Sequence, residues 1–365
     1  MQKKIIALAL AGLASSAAFA QSNVTIYGRA DYGFMKRGHN DGAVQGVETK
    51  NEFASGLQAG SRIGFKGAED LGNGLKAIFQ YEFGTSIDVN SGLAATRNAY
   101  VGLTGGFGTI VGGRLDGVRY GIFNKYDAFG GGNIGNFTQM TAQVDRADNA
   151  VAYISPTFAG FNAVLAYSTH IGNSNPLGLG AQEGSGTVFG DGNDGDAVLN
   201  TVMVAYNNGP ISVSADWERV NFTGGVAAGT ASVFDDVTVM TLGASYDFGV
   251  VKLSALYDNL EIEGRNAAGT LADIDTWFVS ASAPIGKFVV KATYGQTEDD
   301  EATAAKGKKW GIGGQYNLSK RTNIYASYGS ISNERNAAFQ ISPAANSQGA
   351  GVGTRGFDMG IAHNF

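Results

Sequence analysis

From residue 24 to the carboxy terminus, apolar and polar residues alternate with a period of two in segments of about ten residues, separated by clusters of Gly, Asn and Asp. Neighbouring side chains on a strand point to opposite faces, so each segment makes a strand with one oily and one polar face. In Leu57 to Lys66, Leu57, Ala59, Ile63 and Phe65 fall on one parity and Gln58, Arg62 and Lys66 on the other. Leu75, Ala77, Phe79, Tyr81 and Phe83 repeat this against Lys76, Gln80 and Glu82, as do Val251, Leu253, Ala255 and Tyr257 against Lys252, Ser254 and Asp258. The pattern predicts sixteen strands, starting near Val24, Leu57, Leu75, Arg97, Gly108, Ala150, Phe161, Val198, Ile211, Val237, Val251, Asp275, Phe288, Lys309, Thr322 and Thr354.

Alternation alone also suits a soluble sandwich, whose strands share a buried core. Connection length separates the two. Asp70 to Gly74, Gly105 to Phe107, Asn207 to Pro210, Phe248-Gly249 and Pro284 to Gly286 are brief, whereas Gly172 to Ala197, Asn221 to Asp235 and Ser332 to Gly353 are long. Short turns alternating with long loops mark an outer-membrane barrel, with turns in the periplasm and loops outside. Tyr246, Phe248, Tyr257 and Tyr294 near strand ends fit its interfacial aromatic girdles. An open sheet edge in lipid would leave unpaired N–H and C=O groups, so the sheet must close. The fold class is therefore all-β, a closed 16-stranded antiparallel transmembrane β-barrel, and a barrel this wide encloses water unless something folds inside it.

Composition narrows the class further. The 365 residues include 55 Gly, 5 Pro and no Cys, which removes disulfides and thiolate metal sites, and only 16% are charged. A net charge of −6 gives no basic surface for a phosphate backbone, so nucleic acid is not an expected partner. Lys3 and Lys4, the apolar run Ile5 to Leu13 and Ala18-Phe19-Ala20 read as a secretory signal, so residues 1–20 are expected to be cleaved and 21–365 to form one barrel domain. Lys3 and Lys4 leave with it, taking the basic residues from 26 to 24 against 32 acidic ones. Beyond it no apolar run reaches the roughly 20 residues a spanning helix needs.

The chain resembles the Gram-negative general porins, in particular the trimeric sixteen-stranded porins of beta-proteobacterial and neisserial type. The resemblance rests on Val24-Thr25-Ile26-Tyr27-Gly28 with Asp31, on Ser61-Arg62-Ile63-Gly64-Phe65-Lys66-Gly67, and on Glu69-Asp70-Leu71-Gly72-Asn73-Gly74-Leu75-Lys76-Ala77. It continues through Arg97-Asn98-Ala99-Tyr100-Val101-Gly102-Leu103, Phe107-Gly108-Thr109, Gly113-Arg114, and Arg146 leading to Tyr153-Ile154-Ser155-Pro156 and Gly160-Phe161. It implies a homotrimer in the outer membrane, in contact with lipid and lipopolysaccharide, that passes ions and small hydrophilic solutes by passive diffusion. In the last strand Phe357, Met359, Ile361, His363 and Phe365 share one parity and end on an aromatic carboxy terminus, which in this family resembles the signal read by the barrel assembly machinery.

Residues 115 to 149 lack sustained alternation, and so long a segment inside a compact fold is commonly functional. In the family resembled, this is the third external loop, folded inward to narrow the channel. Gly130, Gly131 and Gly132 would let it turn sharply against the wall, and Asp116, Asp127 and Asp145 would carry its negative charge. By motif, Arg62, Arg97 and Arg146 match the wall arginines facing that loop, with Arg114 as a fourth; structural salt bridges to loop acids are the competing role. Parity places Arg62 in the lumen opposite Ile63 and Phe65, but an inward Arg97 would drag Val101 and Leu103 inward and turn Tyr100 out. Clustered guanidinium groups at a narrow passage favour anions, so a weak anion preference is expected.

Three other readings compete. An outer-membrane enzyme would need more than His39, His170 and His363, none of which sits in a Ser or Asp motif. A substrate-selective channel could use Tyr120, Phe123, Tyr126, Phe129 and Phe137 as an aromatic slide, although packing the loop is their simpler role. An adhesin would use the long loops. The acidic stretches Asp191 to Asp196 and Glu298 to Glu301 lack the spacing of a calcium loop, so neither a metal site nor a cofactor is expected.

Overall fold

In a computed structural model of the chain, the alternating segments pair edge to edge into one antiparallel sheet that closes on itself. The structure describes residues 23–38, 49–90, 92–141, 143, 145–171, 197–222, 234–264, 269–301, 305–335, 337, 339–341 and 353–365. The signal segment 1–20, His39 and the acidic stretch 191–196 lie outside them.

The first half of the wall comprises β1 (Asn23–Gly38), β2 (Lys50–Ser55), β3 (Arg62–Gly72), β4 (Leu75–Thr85), β5 (Leu93–Gly105), β6 (Gly108–Asp116), β7 (Arg146–Ile154), β8 (Phe161–Ser168) and β9 (Ala197–Asn208). The second comprises β10 (Ile211–Phe222), β11 (Phe234–Asp247), β12 (Lys252–Gly264), β13 (Gly269–Ile285), β14 (Phe288–Asp299), β15 (Lys306–Asn317), β16 (Thr322–Glu334) and β17 (Arg355–Asn364). Between β6 and β7 lies a helix, α1 (Val118–Tyr126), and then a single 3₁₀ turn at Thr138–Met140. From β3 onward each strand pairs with the next in sequence, β2 and β3 both pair with β1, and β1 closes the barrel on β17, with Arg29 opposite Asn364 and Gly38 opposite Arg355.

The seventeen strand segments make a sixteen-stranded wall because β2 and β3 share one place in it. β2 pairs with the outer half of β1, Tyr32 to Arg37, and β3 with its inner half, Asn23 to Arg29. Residues 56–61 leave the sheet between them, beginning at Gly56 with φ 76°. This corrects the predicted second strand, which ran unbroken from Leu57. Leu57 is fully buried inside the barrel, beside Met35 and Ile134, rather than on the lipid side with Ile63 and Phe65. The cause is Asp31, itself fully buried: its carboxylate accepts the backbone N–H groups of Gln58 (2.9 Å) and Ala59 (2.8 Å) and the Tyr325 hydroxyl (2.6 Å). Bonds to a charged acceptor contribute about 1.5–3 kcal/mol each, enough to hold six residues out of the ladder.

The other strands begin within four residues of their predicted starts, except β13, which begins six residues before Asp275. Outward positions carry the large apolar side chains exposed on the isolated chain, among them Val24, Ile26, Val101, Leu165, Val202, Met240, Val279 and Ile361. Tyr246, Phe248, Tyr257 and Tyr294 are on this face as expected, with Tyr246 packed on Phe248 at 4.5 Å between ring centres. Among the described residues no helix is long and apolar enough to cross a membrane, so the strands are the crossing elements.

Candidate functional site: the constriction

The segment between β6 and β7 folds inward, and it does so because the wall is built to receive it. Phe123, Tyr126, Ile134, Phe137 and Met140 are all buried, in one cluster with Met35, Leu57, Phe278 and Tyr325 of the wall. From α1, which lies against β10 to β12, the segment runs across the later strands to β17. Ser280 and Thr293 donate to the carbonyls of Tyr126 (2.6 Å) and Gly135 (2.7 Å), while Ser327 and Asp358 accept the N–H groups of Gly135 (3.0 Å) and Ile134 (2.6 Å). Backbone approach is very close at Gly132, where a Cβ would fall 1.6 Å from the Gln58 carbonyl oxygen. Gly130 and Gly131 adopt φ 60° and 74°, the left-handed turn expected of them.

α1 has no side-chain cap of its own at Gly117. The wall supplies one, since Glu218 accepts the Arg119 backbone N–H at 3.2 Å. The Arg119 side chain then inserts between β10 and β12 and makes a two-point ion pair with Asp258, Nε to Oδ1 at 2.8 Å and Nη2 to Oδ2 at 2.5 Å, with both partners buried. Sequence reasoning missed this anchor. Its signal was the pair Asp216 and Glu218, two carboxylates on the same inward parity of one strand, which require a cation once the lumen above them is filled.

The segment seats on β10 to β17, and a cavity remains between α1 and the wall of β4 to β9. Arg62, on β3, and Arg97, on β5, stand on this side of the barrel, and Arg146 joins them from the start of β7. Arg97 Nε pairs with Glu82 at 2.5 Å, and Glu82 also accepts the Tyr27 hydroxyl at 3.0 Å. Arg146 pairs with Asp116 at 3.0 Å, and its guanidinium carbon lies 5.9 Å from the Tyr120 ring centre on α1. Arg62 differs: among the described residues no carboxylate lies within ion-pair distance of it, and its charged neighbours are Arg97, Glu82 and Arg29. Asp116 accepts Asn98 Nδ2 at 2.9 Å, and Asp145 stands beside Arg146, Arg97 and Asp116, where burial pushes its carboxyl up against the pull of Arg146.

Three expectations are revised by this geometry. Tyr100 points inward, its hydroxyl on Gln80 Oε1 at 3.1 Å, and Val101 and Leu103 face lipid. Arg97 remains inward because the ladder slips between Tyr81–Ala99 and Phe83–Thr96: Arg97 and Asn98 together oppose Glu82 in a bulge that resets parity. Arg114 does not join the ring. It stands opposite Ala99 on the face of the exposed Tyr81, paired with Asp148 and donating to the Thr96 carbonyl at 2.9 Å. Asp127 does not face the passage either; it is buried and accepts the N–H groups of Phe129 (2.8 Å) and Phe137 (2.7 Å), folding the loop upon itself.

Phe357, Met359, Ile361, His363 and Phe365 share the outer face of β17, with Met359, Ile361 and Phe365 about half exposed. Gly28 and Phe365 exchange backbone hydrogen bonds at 3.1 Å each way, so the carboxy-terminal residue completes the seam. His363 Nδ1 lies 2.8 Å from the Thr322 hydroxyl. Glu298, in the second acidic stretch, is held by Lys306 (2.8 Å) and Arg335 (3.0 Å).

A closed transmembrane barrel whose lumen is narrowed by an infolded third loop defines a diffusion channel of the bacterial outer membrane. The chain belongs to the Gram-negative porin family, whose pattern it matches over residues 7–336. It is 32% identical to outer membrane porin protein 32 of Delftia acidovorans, over the full length of both chains. It is 39% identical over 174 residues to the major outer membrane protein P.IB of Neisseria gonorrhoeae, a match spanning 46% of this chain and 48% of that protein. The anion-selective porin from Comamonas acidovorans has a similar solved structure, with a TM-score of 0.78 and 28% identity over 94% of this chain and all of that one.

Proposed function

We propose that the protein is a passive diffusion porin with a preference for anions, assembled as a homotrimer in the outer membrane after removal of residues 1–20. The observation that carries this reading is Arg62, a guanidinium without an ion-pair partner among the described residues, grouped with Arg97 and Arg29 where the loop leaves the passage open. Glu82 is engaged with Arg97, Asp116 with Arg146, and Asp31 with the backbone of residues 58 and 59, while burial of Asp145 beside Arg146 disfavours its charged form. The uncompensated charge at the narrowing is therefore positive, despite the chain's negative total. The similar structure from Comamonas acidovorans, described as anion-selective, supports the same sign.

Single-channel recording in a planar bilayer under a salt gradient tests this. Conductance should rise in groups of three steps, with a reversal potential on the anion side. A cation-side potential would overturn the charge assignment and point to Asp116 and Asp145, and a folded, inserted protein without conductance would overturn the porin reading.

The terminal aromatic carries a second part of the proposal, recognition by the barrel assembly machinery. Deleting Phe365 removes the hydrogen-bonded pair with Gly28 and is expected to lower the amount of folded barrel in outer membranes severalfold. Unchanged accumulation of heat-resistant barrel would refute the role given to this residue.

A further inference from the structure

Part of the inner wall beside the passage is apolar, where hydration of a channel would favour polar groups. Behind the loop, the buried inward positions of β10 to β16 include Ser214, Thr241, Ser280, Thr293 and Ser327 together with Leu256, Phe278 and Tyr325, all covered by the loop's own side chains. Facing the passage, the inward positions of β7 to β9 include Ala152, Ile154, Val164, Leu199 and Met203, and α1 adds Val118 and Ile122. β9 carries apolar residues on both faces, Val202 and Val204 toward lipid and Leu199 and Met203 inward, with Thr201 between the last two. Met203 and Val118 pack against the buried cluster that includes Ile122, and a cavity of about 590 Å³ remains between α1 and the wall.

Charge brackets this apolar strip. At one end stands Asp116 with its partner Arg146, beside Arg97 and Arg62. At the other, Lys125 of α1 lines the cavity with its ammonium held only by neutral groups among the described residues, Asn207 Oδ1 at 3.1 Å and Ser214 Oγ at 3.3 Å. A hydrated inorganic ion gains from the cations and nothing from the strip. A solute carrying a carboxylate and an apolar body gains from both.

We infer that the channel favours small organic monocarboxylates with an apolar ring or branched chain over equally charged hydroxylated ones, through the lumenal strip centred on Val164 and Met203. This rests on the anion-conducting reading above and narrows it to a solute class. The strip requires no new binding geometry, because apolar surface removed from water is favourable in any orientation.

The test compares cyclohexanecarboxylate with quinate, its tetrahydroxylated analogue, by reversal potential against chloride near neutral pH in bilayers containing the full-length protein. The wild-type permeability ratio should favour cyclohexanecarboxylate, and it should fall by at least about threefold in the double variant Val164→Asn, Met203→Gln, with chloride conductance unchanged. Met203→Leu, which keeps the surface apolar, should retain the ratio. If the double variant does not fold, saturable inhibition of wild-type chloride current by millimolar cyclohexanecarboxylate, and not by quinate, is the expected result. A ratio unmoved by the double variant, or inhibition equal for both acids, overturns the inference while leaving the anion-conducting pore intact. A wild-type pore without anion bias overturns the underlying reading instead.

Discussion

Replacing Arg119 with leucine is expected to loosen the third loop and give an unsteady channel, with a loss of about 3–5 kcal/mol at the anchor, the usual effect of removing one partner from a buried ion pair. The Arg119 guanidinium is the cation between Asp258 and the neighbouring carboxylates Asp216 and Glu218. Without it three carboxylates face one another in a site shielded from water, and the helix above them loses its tether. Current noise should rise, mean conductance should increase as the loop leaves the lumen, and the thermal midpoint of the folded barrel should drop. Adding Asp258→Leu should restore part of the stability, because removing both charges leaves fewer groups buried without partners. A single variant with wild-type noise and wild-type melting would show that the loop is held by its aromatic contacts alone.

The second large effect separates charges that conduct from charges that hold the wall. Arg62→Glu should move the reversal potential strongly toward cations, because it introduces a carboxylate beside Arg97 and Arg29 where a guanidinium stood without an ion-pair partner. Folding should be little affected, since no ion pair is broken among the described residues. Arg97→Gln should shift selectivity less but cost stability, on the order of 3 kcal/mol, by leaving Glu82 buried with only the Tyr27 hydroxyl. Measured side by side, the two variants should rank oppositely in reversal potential and in melting temperature. The same ranking in both measurements would refute the division of roles.

Much of the barrel was legible because period-two alternation survives wherever one face meets lipid and the other does not. The break in the second strand was not, since Leu57 and Ala59 continue the apolar parity; what removes them from the sheet is a carboxylate on another strand, Asp31. Arg97 shows the same limit in a different form. Its inward placement followed from the resemblance, yet the neighbouring parities came out inverted because a bulge inserts a residue without a compositional mark. Arg114 follows the motif-matched wall arginines as a fourth and Asp127 lies within the loop segment, but charge and position alone do not tell a side chain facing the passage from one turned away from it. Arg119 required knowledge of which strands lie behind the helix, which is tertiary information. The apolar strip was present in the sequence of β9, whose Val and Met residues break the alternation, but only the placement of the loop shows that strip to be uncovered.

The third loop rests on β16 and β17 as well as on the middle strands, through Ser327 and Asp358, and on residues 56–61 beside β1. Those supports do not exist together until the last strand has joined the first. During biogenesis the loop therefore has no complete seat while the sheet is open, and the narrowing forms only as the seam closes. Closing the seam and narrowing the channel are therefore one event, and a barrel stalled before closure would lack its sieve.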